Sequence, residues 1–198
     1  MQLKFGIDFD NTIVCYDALA HNLAVEKSLI DLNVPKNKEA VRNTLRIKGL
    51  EDLWTELQAE LYGPRIKDAK SFPGLFEFLN QAKSSKLELF IVSHKTKYPY
   101  RGPQYDLHMH AWKWLDDQNI PNNLISRKNI FFEVSKQAKF ERIASIGCDY
   151  FIDDLPEFLL DQNFPPKTER ILFDPHSSSA ALTIKVAHNW NQVISLIK

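Results

Sequence analysis

The sequence predicts an α/β protein with a parallel sheet covered by helices on both faces and a small helical segment inserted after the first strand. From residue 72 onwards, short apolar runs alternate with amphipathic segments, which favours parallel strands joined by helices. Residues 17–62 show only helical periodicity. Acidic or hydroxyl residues follow several apolar runs, where such a sheet gathers its functional groups.

The first strand is predicted from "LKFGIDFD", in which apolar residues occupy alternate positions from residue 3. Asp8 and Asp10 lie near the end of this strand, where burying a charged group is costly. A simple turn continued by Asn11 is the structural alternative. The two carboxylates favour a functional site.

The inserted segment is predicted to contain three helices. Two correspond to residues 18–33 and 37–47, and the third has an apolar face formed by Leu50, Leu53, Trp54, Leu57 and Leu61. Gly-Pro signals within residues 62–74 end the segment. We therefore assign residues 15–71 to a helical cap and residues 1–14 and 72–198 to the α/β core.

The rest of the chain alternates between predicted helices and strands. Helices are expected at 73–85, 107–115, 139–147 and 189–198, and strands at 87–93, 129–134, 148–154 and 170–175. Gly147 is typical of a helix C-terminus.

Composition excludes several classes of partner. Lysine plus arginine and aspartate plus glutamate both number 25, so no net charge attracts nucleic acid or an anionic membrane. Two cysteines are too few for a disulfide framework and suit a reducing compartment. The N-terminus lacks a signal-peptide pattern, and no segment has the length of a membrane span. We expect a cytoplasmic protein; its oligomeric state is not predicted.

Acidic and hydroxyl side chains lie at the ends of three predicted strands. Asp8 and Asp10 are at the end of the first strand, Ser93 at the end of a later one, and Asp153 and Asp154 at the end of a third. Neighbouring carboxylates repel each other unless a cation or raised pKa values relieve the charge. Oxygen ligands suit Mg²⁺ or Mn²⁺. Asp174 also ends a strand, and no role is assigned to it.

Four motifs in this order resemble the haloacid dehalogenase (HAD) superfamily: "DFDNT", "FIVSHKT", "SKQAKFERI" and "YFIDDLPEF". The resemblance covers the chain outside the inserted segment. It implies a Rossmann-like core with a small helical cap and a magnesium-dependent phosphatase acting through an aspartyl-phosphate.

The resemblance also implies catalytic roles. Asp8 would be the nucleophile and Asp10 the general acid and then the general base. Ser93 would hold a phosphoryl oxygen, and Lys139 would offset charge. Lys136 stays an alternative to Lys139.

For metal binding, the resemblance implies Asp154, the Asp8 carboxylate and the Asp10 backbone carbonyl as ligands, with Asp153 in support. "DDLPEF" is also typical of a helix N-terminus, and both functions can share one loop. Thr12 is expected to fix the loop by hydrogen bonding. The remaining expected substrate-binding residues are Asn11, His94 and Lys95.

The function expected from these motifs is hydrolysis of a small phosphomonoester, either a sugar phosphate or a nucleoside monophosphate. A phosphotransferase or mutase of the same superfamily, and a catalytically silent binding domain, are the alternatives. A signalling receiver module also combines aspartates, a hydroxyl residue and a lysine. Its acidic pair comes early in the chain, whereas here the pair comes late.

Overall fold

The computed structural model describes residues 2–85, 87–179 and 183–197. The chain forms two compact units: Met1–Val14, Ser71–Lys95 and Asn119–Lys198 make the first, and Cys15–Lys70 and Thr96–Gln118 make the second. Lys198, the last residue of the predicted terminal helix, lies outside the described residues. Two short strands, β2 (Val14–Cys15) and β3 (Lys70–Ser71), pair with each other. The chain leaves the first unit between Val14 and Cys15 and returns to it between Lys70 and Ser71.

The first unit is built on a six-stranded sheet whose order is β5-β4-β1-β6-β7-β8. Each of the five neighbouring pairs is parallel, as the sequence pattern predicts. The strands are β1 (Lys4–Ile7), β4 (Glu88–His94), β5 (Ile130–Glu133), β6 (Tyr150–Asp153), β7 (Glu169–Phe173) and β8 (Lys185–Ala187). β8, which follows the undescribed residues 180–182, is not among the strands predicted from the sequence.

Helices of the first unit pack through alternate strand positions. Phe90 and Val92 join the core beneath α6 (Lys136–Ile146) and α7 (Pro156–Leu159). Strand residues whose side chains point to the other face of the sheet belong to a second core, which is aromatic. In this core the ring centroids of Phe5 and Phe78 are 5.4 Å apart, and those of Phe173 and Trp190 are also 5.4 Å apart. That core contains α4 (Leu75–Ser84) and α8 (Trp190–Leu196). Helices therefore cover both faces of the sheet.

Gly6 is required by close packing within β1. A Cβ atom at this position would collide with the ring of Phe151, which lies on the neighbouring strand β6, and would lie 3.1 Å from the sulfur of Cys148. Any side chain here would therefore displace the ring on which α7 packs.

The second unit contains α1 (Asp17–Glu26), α2 (Lys38–Ile47), α3 (Glu51–Tyr62) and α5 (Leu107–Asp117). It includes residues 15–70 of the predicted cap, whose last residue, Ser71, lies in the first unit, together with residues 96–118, which are predicted as part of the core. The predicted first helix ends early because the backbone of Ser28 is left-handed, with φ 57°. Among the described residues, no helix has the length and apolar character needed to cross a bilayer.

Candidate active site

The order of the strands places the functional residues at one edge of the sheet. β1 lies between β4 and β6, so the residues that follow these three strands are neighbours. The pairing of Ile7 with Ile152, continued by one residue, sets Asp8 beside Asp153. The backbone N–H of Asp8 donates to the carbonyl of Ile152 at 2.9 Å.

Three carboxylates converge at this edge. Asp8, Asp153 and Asp154 each offer one oxygen, and these oxygens lie within 4.8 Å of one another. Asp8 and Asp153 are buried, whereas Asp154 is partly exposed. Such a group can hold a hard divalent cation while one side stays open to a ligand.

Asp153 has a second contact that bears on the helix-cap alternative. Its Oδ1 accepts a hydrogen bond from the backbone N–H of Leu155 at 3.0 Å. Leu155 itself occupies the cap position of α7, and no side chain caps that helix. Asp153 therefore holds the loop before α7, and its other oxygen faces the cluster.

Lys139 bridges two members of the cluster. Its Nζ lies 2.5 Å from Asp8 Oδ1 and 2.6 Å from Asp153 Oδ2, and all three side chains are buried. Lys136 instead pairs with Asp161 at 2.6 Å on a more exposed surface. The geometry therefore favours Lys139 over Lys136 as the site lysine.

The sequence pattern predicts Lys139 as the first residue of its helix. In the structure, Lys139 lies in the first turn of α6, which begins at Lys136. The helix begins at Lys136 because Ser135 caps it, with the Ser135 side chain accepting a hydrogen bond from the N–H of Ala138. Serine is a preferred residue at helix N-caps, so Ser135 could have predicted this helix start from the sequence.

Two aromatic rings complete the surroundings of Lys139. Its Nζ lies 4.2 Å from the ring centroid of Phe158 and 5.3 Å from that of Phe151. The faces of these rings attract a cation, and the effect grows when water is excluded. The sequence analysis did not identify Phe158 as part of the site, although it follows the acidic pair within the same motif.

The electrostatics of the cluster call for additional positive charge. Burial raises the pKa of Asp8 to about 7; Lys139 opposes this, whereas Asp153 and Asp10 add to it. For Lys139, burial lowers the pKa, but Asp153 and Asp8 outweigh it and leave the pKa raised. Three carboxylates beside one ammonium group leave two negative charges, which a divalent cation would balance. The donor set therefore fits Mg²⁺.

Asp10 lies outside the group of three carboxylates. Its side chain is paired with Lys95, whose Nζ lies 2.7 Å from one carboxylate oxygen and 3.0 Å from the other. The sequence analysis named both residues but did not foresee this contact, because the partners are 85 positions apart. The expected metal contact of the Asp10 backbone carbonyl stays a prediction.

The loop after Asp10 is held by its backbone. Asn11 is left-handed, with φ 59°, and the carbonyl of Phe9 accepts hydrogen bonds from the N–H groups of Ile13 and Val14. The Thr12 carbonyl accepts a hydrogen bond from Trp190 Nε1 at 3.1 Å. The hydroxyl of Thr12 has no partner among the residues described, so the hydrogen bond that Thr12 makes here is through its backbone carbonyl.

Ser93 is the second-last residue of β4. Its hydroxyl is buried and lacks a hydrogen-bond partner within the described part of the chain. Buried hydroxyls are normally satisfied, so this one is available to a ligand oxygen. His94, the next residue, is exposed, and a role in substrate binding stays a prediction for it.

Asp174 directly follows β7 but is not part of the three-carboxylate group. Its Oδ1 accepts hydrogen bonds from the N–H and hydroxyl of Ser178, and its Oδ2 accepts one from the N–H of Ser179. Burial alone would raise the pKa of Asp174, but these hydrogen bonds outweigh it and hold the pKa below its usual range. Asp174 therefore stabilises the loop that follows β7.

Replacing Asp174 with alanine is expected to lower the free energy of unfolding at neutral pH by about 1–3 kcal/mol. The pKa is lower in the folded state, so the stabilisation is present above about pH 4 and is lost as the pH falls through the folded-state value. Urea unfolding at neutral and acidic pH measures this, with the exposed Asp117→Ala as the control. An equal penalty at both pH values would contradict the assignment.

Comparison with known proteins places this fold. No protein-family model matches the chain. A HAD-superfamily hydrolase of subfamily IA from Geobacter sulfurreducens aligns with a TM-score of 0.60 and 12% identity, covering 100% of this chain and 97% of that chain. A haloacid dehalogenase-like family protein from Streptococcus pneumoniae gives 0.59 and 13%, covering 100% and 99%.

A third structure, provisionally named as the HAD-hydrolase YfnB of Bacillus subtilis and described as bound to magnesium, aligns with a TM-score of 0.58 and 13% identity, covering 100% of this chain and 99% of that chain. The chain therefore has the α/β fold of the HAD superfamily, as its four motifs imply. In sequence, a protein of Oceanobacillus iheyensis provisionally named as a nucleotidase is 23% identical over an alignment of 164 residues, and the match covers 79% of this chain and 79% of that protein.

Proposed function

We propose that this protein is a magnesium-dependent phosphatase that hydrolyses a small phosphomonoester. One observation carries the proposal: Lys139 bridges Asp8 and Asp153, while Asp154 lies within 4.8 Å of both carboxylates. This combines a buried nucleophile, a fixed cation and a set of hard oxygen ligands. Charge stabilisation of this kind supplies most of the catalysis in phosphoryl transfer.

In the first step of the proposed reaction, an Asp8 oxygen attacks phosphorus in line, and the bond from phosphorus to the leaving oxygen breaks. Asp10 gives its proton to that leaving oxygen. In the second step, water attacks phosphorus and transfers a proton to Asp10 while the bond from phosphorus to the Asp8 oxygen breaks, which releases inorganic phosphate and restores both carboxyl groups. Lys139 and the Ser93 hydroxyl hold the oxygens on which negative charge develops.

Asp8, Asp153 and Asp154 would hold the magnesium ion. The bound cation would supply positive charge beside the phosphoryl group and the buried carboxylates. Asp153 is also fixed by Lys139 and by the N–H of Leu155, so the ligand set is rigid on its buried side. Asp154 is the most exposed of the three.

For the substrate we propose a nucleoside monophosphate ahead of a sugar phosphate. The name of the Oceanobacillus iheyensis relative supports this order. We further propose that the second unit acts as a cap that selects small substrates and excludes water, and that the protein is cytoplasmic.

A phosphatase screen over nucleoside monophosphates and sugar phosphates, with and without Mg²⁺, tests the proposal. Activity is expected to disappear in excess chelator and to return with Mg²⁺. Asp154→Ala is expected to raise the Mg²⁺ concentration that gives half-maximal activity by about tenfold or more, because one ligand is lost. Asp161→Ala, outside the cluster, is the control. Full activity in chelator, or no phosphate release from any substrate, would overturn the proposal.

A further inference from the structure

The contact between Lys95 and Asp10 bears on the role of this lysine in the site. The side chain of Lys95 is only 2% exposed, whereas that of Asp10 is 19% exposed. Both oxygens of Asp10 lie within hydrogen-bond distance of the same ammonium group. A lysine that binds the phosphate of a diffusing substrate would instead present its ammonium group toward the ligand.

Lys95 is itself firmly held. Its backbone N–H donates to the carbonyl of Glu133 at 2.8 Å, which extends the pairing of β4 with β5. Its Nζ also lies 5.5 Å from the ring centroid of Phe9, the residue between the two aspartates of the first motif. The ammonium group is therefore a fixed point against which a neighbouring carboxyl group can be aligned.

Asp10 needs such a fixed point because its backbone lies next to an irregular turn. Asn11 adopts a left-handed conformation, so the chain leaves extended geometry directly after Asp10. Asp10 forms only an isolated bridge, with Val14, and is not part of a regular strand. An acid that must reach one leaving oxygen gains rate from correct orientation.

We propose that Lys95 is a positioning residue that orients Asp10 for proton transfer, and that it is not a phosphate ligand. The inference depends on the proposed phosphatase function. In the proposed steps Asp10 gives a proton to the leaving oxygen as the Asp8–phosphorus bond forms and the bond from phosphorus to the leaving oxygen breaks, and Asp10 regains a proton from water as the Asp8–phosphorus bond breaks. One Asp10 oxygen stays on Lys95 while the other exchanges the proton.

The leaving group of the substrate distinguishes the two roles. Proton donation matters little for an activated aryl phosphate such as para-nitrophenyl phosphate and matters most for alkyl phosphates. Lys95→Met is therefore expected to reduce kcat for alkyl phosphates by about a hundredfold, the contribution of a general acid. Its effect on para-nitrophenyl phosphate should be within about threefold, and inhibition by inorganic phosphate should not change.

Lys97→Met is the matched control, since Lys97 is a more exposed lysine of the same loop whose Nζ lies 3.9 Å from Asp106. Equal losses for both leaving groups, together with weaker inhibition by phosphate, would identify Lys95 as a phosphate ligand and overturn the inference. Wild-type protein that hydrolyses neither activated nor alkyl esters would overturn the proposed function as well.

A double-mutant cycle provides a second test that does not depend on a fully stable single variant. If Lys95 acts through Asp10, Lys95→Gln should have no further effect on kcat in an Asp10→Asn background. If the fold-losses in kcat of the two single variants multiply in the double variant, Lys95 acts independently of Asp10, and the inference is overturned.

Discussion

Asp8→Asn is expected to reduce turnover of every phosphomonoester substrate by at least about a thousandfold, because an amide cannot form the covalent intermediate. The change keeps the size and burial of the side chain. Lys139 keeps its contact with Asp153, so the local fold should survive. Steady-state kinetics measure the loss, and acid quenching with labelled substrate should trap a phosphoenzyme only in the wild type.

Asp161→Asn is the control for this experiment. Asp161 pairs with Lys136 and lies outside the three-carboxylate group, so its loss should leave turnover within about twofold, as is usual for a surface ion pair. If the Asp8→Asn protein folds normally and still releases phosphate at the wild-type rate, Asp8 is not the nucleophile.

Lys139→Met is expected to reduce kcat by about a hundredfold or more and also to destabilise the protein. The substitution removes the cation that Asp8 and Asp153 share and leaves two buried carboxylates without it. Breaking a buried ion pair in this way costs about 3–5 kcal/mol. Kinetics at saturating substrate and urea unfolding in chelator measure the two effects separately.

Lys136→Met is the matched control because the two lysines lie in the same turn of α6. Lys136 pairs with Asp161 at a more exposed position, so its loss should cost about 1 kcal/mol or less and should not change turnover. The opposite ranking of the two variants would make Lys136 the catalytic lysine.

The sequence predicts the fold well because its signals are local. Alternating apolar residues identify the strands, and a carboxylate after an apolar run marks a strand end, so the convergence of Asp8, Asp153 and Asp154 follows from parallel topology. β8 has only three residues, which is too short for a periodic signal. α5 belongs to the second unit although core residues flank it in sequence, because membership of a unit depends on distant contacts.

The site is less predictable than the fold because its contacts join residues that are distant in sequence. Asp10 and Lys95 are each recognisable from their motifs, but their ion pair depends on the side-chain geometry of two different strand ends. Phe158 similarly contacts Lys139 only because α7 packs beside α6 in one hydrophobic core. Sequence spacing does not encode either distance.

The composition of the second unit limits how the protein can be engineered. Trp114 on α5 donates its indole N–H to the carbonyl of Ala69 at 3.0 Å, and both residues are buried. A shortened variant joining Val14 to Ser71 would remove Ala69 and leave that indole without this acceptor. Exchanging the second unit for that of a relative therefore requires replacing residues 15–70 and 96–118 together.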